Sequence, residues 1–296
     1  MSFRTSLIFS RNSDNSALDT ATIERLAPAV FSHQKAQHLT DRYVSLHTSD
    51  LIPVMQDYGY VPVQAAQRGS RKSKNSGIIL EESGKVVESF NAHLISFAHR
   101  DLLQQDLRPE IILYNSHDGS SSVQLYAGCY RFICSNGIVA GEGFNQRMYH
   151  SKSGMSGFEE MLKSTVESLP AMQERIAMLK GVTLSVGQQQ ELARLGVSTR
   201  WDMLPNDIEG ITGTYATANT LKAALHPSRY EDSSADAFTV FNRIQETVIR
   251  GKAYVQSFTK AAPFGNVRKA RPVASAKESI RINSELWDAM ETVAEI

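Results

Sequence analysis

From residue 60 to about 140, apolar and polar side chains alternate in short runs, and from 156 onward they recur every three or four positions. Alternation at every second residue marks strands, and three-to-four spacing marks one face of a helix. VPVQAAQR, ESFNAHLISFAHR, PEIILYN and SVQLYAGCYRFICSN therefore read as strands, with Asn136-Gly137 as a tight turn into IVAGEGF. In ESFNAHLISFAHR the pattern places Asn91, His93, Ile95, Phe97 and His99 on one face and Phe90, Ala92, Leu94 and Ala98 on the other. RYVSLHT reads as a further strand, and TSDLIPVMQDYGY as a helix capped by Ser49, beginning near Pro53 and stopped by Gly59. Between two of the strands, GSRKSKNSG has no apolar side chain and reads as a flexible hairpin tip.

The helical spacing starts with Phe158, Met161, Leu162, Val166, Leu169, Met172, Ile176 and Leu179, with Pro170 as a kink and Gly181 as the end. SVGQQQELARLG is a second helix, capped by Ser185. Residues 200–232 are loop-rich around a short LKAAL segment, and DAFTVFNRIQETVIRGKAYV is another amphipathic helix. PFGNVRKARPVASAKESIR is extended and basic, and INSELWDAMETVAEI closes the chain with a short helix. A half-apolar sheet followed by a striped helix implies that one covers the other. The expected fold is α+β: an antiparallel β-meander covered by a long helix, with a helical and extended C-terminal region. The expected organisation is a loose segment 1–40, an α+β core 41–182, a helical region 183–262, and a basic extended tail with a terminal helix, 263–296.

With 42% hydrophobic and 21% charged residues, the chain falls within the range of folded proteins. It contains no apolar run of membrane-spanning length and no signal-peptide core, so a membrane is not an expected partner. Cys129 and Cys134 lie five residues apart on opposite faces of one strand, about 16 Å apart, and cannot bridge. The net charge is zero, but residues 240–281 carry 9 basic and 2 acidic side chains and residues 282–296 carry none and 4. Arg68, Arg71, Lys72 and Lys74 form a second basic cluster. Two basic segments in a neutral protein favour a polyanion groove, and a solvated flexible segment accounts for each equally well.

The stretch NSHDGSS, residues 115–121, separates two strands. Asn115, Ser116, His117, Asp118, Gly119 and Ser120 suit three roles. One is a well-capped turn, since Asn and Asp bond to their own backbone. Another is a phosphate-binding rim. The third is a divalent-metal site, with His93 or His99 as further ligands. His93 and His99 are themselves about 20 Å apart on an extended strand and cannot share one ion. Arg131, beside Tyr130 in an apolar strand, needs either a partner or an outward bulge at Gly128, and an outward Arg131 is a nucleic-acid contact. Lys252, Lys260, Arg268, Lys269 and Arg271, interleaved with Tyr254, Phe258 and Phe264, carry what non-specific strand binding requires. There is no P-loop, no GxGxxG and no nucleophile elbow, and Ser, His and Asp side by side in sequence are not a triad.

TSDLIPVMQDYGYVPVQAAQ, HLISF and PEIILYNSHDGSSSVQLYAGCYRFICSNGIV resemble the phage and plasmid proteins grouped as domain of unknown function 932. The resemblance rests on Asn115 to Gly119, Gly128, Arg131, Cys134, Asn136 and Gly137, and on the terminal SIRINSELWDAM. It implies a role near DNA replication, recombination or host interference, in the cytoplasm of a bacterial host. The order helix, meander, long helix is similar to that of phage single-strand annealing proteins such as Red beta and RecT, although none of their sequence motifs is present. The expected function is non-catalytic binding of single-stranded nucleic acid by an annealing-type homo-oligomer without a cofactor. The alternatives are a metal-dependent nuclease or phosphoryl-transfer enzyme around Asn115, His117 and Asp118, and a protein-binding inhibitor or assembly factor.

Overall fold

The computed structural model describes residues 16–33, 39–40, 43–67, 78–80, 86–89, 91–105, 107–131, 136–139, 145–150, 154–273 and 275–295. It forms two compact units, Met1–Met172 with Ala274–Ala276, and Gln173–Val273 with Lys277–Ile296.

The first unit is built on an antiparallel sheet. Its strands are β1 (Tyr60–Gln67), β4 (His93–His99), β5 (Leu107–Asn115), β6 (Val123–Arg131), β7 (Asn136–Val139) and β8 (Asn145–Met148). The order is β1-β4-β5-β6-β7, with β8 also on β6. Apolar rows run across the strands. Ile95 pairs with Leu113 and Leu113 with Leu125, while Phe97 pairs with Ile111 and Ile111 with Ala127, and all six are fully buried. The opposite face of the central strands is buried too, at Leu94, Ala98 and Ile112. That face also holds an ion pair, Arg108 Nε to Glu110 Oε1 at 2.9 Å. Burying such a pair is tolerated only when its remaining groups are hydrogen-bonded, and Arg108 Nη1 donates to the Leu103 carbonyl at 2.6 Å.

β1 lies at the edge of the sheet, which accommodates Pro62, and its Pro62 carbonyl accepts from Leu18 N at 2.7 Å. Helix α1 (Thr20–Leu26), capped by Asp19, precedes it in the chain, and α2 (Thr48–Asp57) leads into it. A separate hairpin pairs β2 (Ile78–Leu80) with β3 (Val86–Ser89), where none was expected. Helix α3 (Gly154–Gly181) begins in this unit and continues through Pro170, with Phe158, Met161, Leu162, Thr165, Leu169 and Met172 buried along it.

The second unit is helical, with a three-stranded sheet. Helix α6 (Ala237–Arg250) is buried at every position from Ala237 to Val248. Helices α4 (Val186–Ser198), α5 (Ala218–Leu225) and α7 (Ala276–Ala294) also belong to it, as do the last turns of α3 from Gln173. Gly196 of α4 lets its backbone approach Ile244 and Leu286, since a Cβ there would lie 2.5 and 2.7 Å from their side chains. Phe241 and Trp287 meet edge to face at 6.0 Å. The polar residues of α6 are paired: Gln245 donates to Asn283 at 2.5 Å, and Glu246 accepts from Arg229 and Lys252. The sheet runs β11 (Ala262–Lys269), β10 (Tyr254–Thr259), β9 (Gly213–Tyr215).

The α+β class and the antiparallel sheet stand as expected, and Ser185 caps α4 with a reciprocal Gln188 bond. Four local expectations are corrected. The strand expected for RYVSLHT does not form: residues 43–47 pair with no strand among the described residues, and both main-chain groups of Leu46 bond side chains, of His150 and Asn115. Helix α2 starts at Thr48 after His47, ahead of Ser49. Asn136 and Gly137 are strand residues, paired with Arg131 and Tyr130, so they are not the turn. The tail is extended as expected along strand β11, but its terminal helix starts at Ala276, inside the stretch expected to be extended. Among the described residues no helix is long and apolar enough to cross a membrane.

Candidate functional site

The NSHDGSS loop joins β5 to β6, and its polar groups bond to the protein itself. Asn115 Nδ2 donates to the Leu46 carbonyl at 3.0 Å and to Thr48 Oγ1 at 2.9 Å, while its Oδ1 accepts from Ser116 N. Ser116 Oγ donates to the Ser121 carbonyl and accepts from Ser121 N. Asp118 Oδ1 accepts from Ser120 N at 2.9 Å, and Gly119 supplies the positive φ of 74°. Asn115, Ser116 and His117 are fully buried.

Beneath this loop lies a cluster that the sequence does not announce. The rings of His93 and His117 are 5.2 Å apart, those of His47 and His117 5.8 Å, and those of His33 and His47 5.3 Å. The His150 ring lies 4.6 Å from that of Tyr43, tilted by 35°. The proton positions follow from the partners. His93 Nδ1 faces the Asn91 carbonyl at 2.8 Å and so carries the proton. His93 Nε2 accepts from the Thr48 hydroxyl at 2.7 Å, and that oxygen accepts from Asn115. Burial pushes His93 down to about 4. It pushes His117 to about 2, helped by the neighbouring His93, His47 and His150, and His150 to about 4. His117 Nε2 is buried without a hydrogen bond. His93, His117 and His150 are neutral rings, and contacts around them hold the segment before α2 against the loop: Ser45 Oγ lies 3.3 Å from His117 Nδ1, Leu46 N donates to His150 Nδ1, and Tyr43 donates to the Ser116 carbonyl. Among the described residues no three His, Cys, Asp or Glu side chains are arranged to hold a metal ion.

Lys260, Arg268 and Lys269 lie on the β10–β11 hairpin of the second unit, and Arg271 follows just beyond it. No acidic residue occurs between Glu246 and Glu278. Tyr254 is directly opposite Lys269, Val255 opposite Arg268 and Gln256 opposite Val267. Cross-strand partners share a face, so Tyr254, Lys269, Gln256 and Val267 line one side of the hairpin. Tyr254 is 60% exposed and Phe264 83%. Lys260 occupies the two-residue turn between Thr259 and Ala262, and Lys269 and Arg271 are exposed. Arg268 is exposed as well, with Nη2 donating to Thr214 Oγ1 at 2.8 Å. The base of the hairpin is fixed: Arg200 donates to the carbonyls of Arg271 and Val248 and stacks on Trp201.

The other expected positions fall elsewhere. Lys252 Nζ is ion-paired with Glu246 at 2.8 Å, and Phe258 is buried. Arg131 ends β6, with its main chain paired to Leu107 and Asn136, and its side chain lies outside the described residues. Arg68, Arg71, Lys72, Lys74 and Cys134 also lie outside them. NSHDGSS belongs to the first unit and the hairpin to the second. Sequence reasoning missed His47, His150 and Thr48, for which no spacing signal exists. It also missed the hairpin turn, Lys260-Ala261, which holds no glycine or asparagine.

The architecture defines an α+β protein with an antiparallel sheet, a buried histidine cluster in one unit and a cationic hairpin in the other. The chain belongs to the family described as Domain of unknown function (DUF932), whose model matches residues 51–287. It is 27% identical over 270 residues to the UPF0380 protein YfjQ of Escherichia coli (strain K12), covering 91% of this chain and 89% of that protein. The UPF0380 protein YafZ of the same strain is equally similar over the same shares. No solved structure matches the chain.

Proposed function

We propose that this chain is a non-catalytic DNA-transaction protein of phage or plasmid type. It binds single-stranded nucleic acid through the β10–β11 hairpin, acting as an annealing-type oligomer in the bacterial cytoplasm. One observation carries the reading. Two exposed aromatics lie on a stretch with four exposed cations and no acidic side chain: Tyr254 stands across from Lys269 at one end of the hairpin, Phe264 follows Lys260 at the other, and Arg268 and Arg271 complete the set. Guanidinium and ammonium groups neutralise phosphates, and aromatic faces stack on any base, which together give binding without sequence preference. No catalytic role is proposed for Asn115, Ser116 or His117, because all three are buried and Asn115 and Ser116 are bonded within the loop.

The test is anisotropy of a labelled single strand across a salt series, with light scattering on the same samples. Binding should weaken linearly on a log–log plot. The combined change Lys260→Gln, Arg268→Gln, Lys269→Gln, Arg271→Gln should flatten the slope by roughly 0.7 for each phosphate that is no longer neutralised. An unchanged curve would remove the hairpin from the interface, and a strict monomer would remove the annealing-type assembly.

A further inference from the structure

Cations alone suffice to hold a phosphate backbone, yet the hairpin also presents a rigid apolar tip. The register of β10 with β11 slips between Ser257↔Asn266 and Thr259↔Ala262, so residues 263–265 bulge from the strand. The bulge is anchored from below. Gly265 has φ 74°, and a Cβ there would lie 2.7 Å from the ring of Phe258. Phe258 is itself buried, edge-on to Tyr215 at 5.9 Å. Gln256 Nε2 donates to the Phe264 carbonyl at 3.3 Å. The main chain at Phe264 is thus held while its side chain is 83% exposed beside exposed Pro263, four residues past Lys260.

Among the described residues β11 is also an edge strand, with β10 as its one neighbour in the sheet. Open edges attract other strands, and proteins blunt them with proline, bulges and basic side chains. β11 has all three, in Pro263, the slip at 263–265, and Arg268 with Lys269. Strand addition by a protein is therefore disfavoured, and the surrounding cations select an anionic occupant. Phe and Pro side chains presented this way insert between base steps and unstack them.

We propose that Pro263 and Phe264 form a wedge that seats against the end of a base stack, so that the hairpin prefers a junction of single strand and duplex to either alone. The proposal rests on the nucleic-acid reading of the same hairpin. Its ligand is the exposed terminal base pair of a duplex with an unpaired strand continuing from it. Phe264 supplies the stacking face, Lys260 in the neighbouring turn meets a flanking phosphate, and Lys269, opposite Tyr254, lies further along the path of the unpaired strand.

The experiment uses the full chain and three labelled probes of one sequence: single strand, blunt duplex, and a fork carrying 2-aminopurine at the junction. The wild type should bind the fork roughly tenfold more tightly than the single strand and raise the 2-aminopurine emission as the step unstacks. Phe264→Ala should lose that preference and the emission change and weaken single-strand binding by less than it weakens fork binding, with the salt slope and the circular dichroism spectrum unchanged. Gly265→Val, which strains the bulge without altering charge, should behave the same way. Equal binding of all three probes without an emission change would overturn the wedge and leave strand binding standing. Absence of binding to any probe would overturn both. Phe264-dependent binding to anionic phospholipid vesicles, without a fork preference, would overturn the wedge in favour of a membrane surface.

Discussion

Thr48 shows how far a single hydroxyl can organise a protein interior. It donates to His93 Nε2 and accepts from Asn115 Nδ2, so one oxygen fixes a ring tautomer and a loop amide together. Valine has nearly the same shape and neither hydrogen-bonding capacity. Thr48→Val leaves a buried ring nitrogen and a buried amide each short of a partner, at about 1–3 kcal/mol apiece. The expected outcome is a loss of about 2–4 kcal/mol in chemical denaturation with the far-UV spectrum unchanged; a loss below about 0.5 kcal/mol would mean the chain of bonds contributes little. Nothing in the sequence distinguishes Thr48 from its neighbours. Asn115 is visible because NSHDGSS is a conspicuous string, but its partners lie 67 and 69 residues away. A motif can be read along the chain; the groups that give it meaning meet only when the sheet forms.

Among the elements, those legible in advance are the ones specified by local chemistry. The meander follows from strict alternation, and α4 follows from Ser185 and Gln188 three residues apart. The misread elements depend on partners. RYVSLHT has strand composition but no neighbouring strand, and the hairpin β10–β11 has a turn, Lys260-Ala261, without glycine or asparagine to signal it. The sheet end that carries the histidines yields its own prediction. His93, His117 and His150 have folded pKa values below their ordinary 6.5, so the unfolded chain takes up protons first as pH falls. Stability is therefore complete above about pH 6.5 and declines as pH drops through 6.5 toward 4. Each proton contributes about 1.4 kcal/mol per pH unit, so the two fully buried rings, His93 and His117, account for about 3 kcal/mol per unit below pH 6. Denaturation midpoints recorded from pH 7.5 to 5 should fall with that steepness; a flat profile would show that the rings are not neutral and enclosed.

For the whole molecule, the division into units separates chemistry as well as cores. His47, His93, His117 and His150 all belong to the first unit, whereas Trp201 and Trp287, the chain's two tryptophans, are buried in the second. The second unit buries charge as Glu246 with Arg229 and Lys252 rather than as neutral imidazoles. Mild acid should therefore act on one unit through groups the other lacks. Between pH 6.5 and 5, amide protection, corrected for the intrinsic exchange rate, should fall in residues 43–48 and 91–99 while tryptophan emission stays constant. The hairpin lies in the unit that keeps its emission, so strand binding at pH 5.5 should match that at pH 7 once salt is equal. If emission shifts in step with exchange, the units melt as one cooperative body, and the histidine cluster then sets the acid limit of the binding hairpin as well. Constant emission with retained binding would place the proposed nucleic-acid contact and the acid-sensitive cluster in parts of the chain that fail separately.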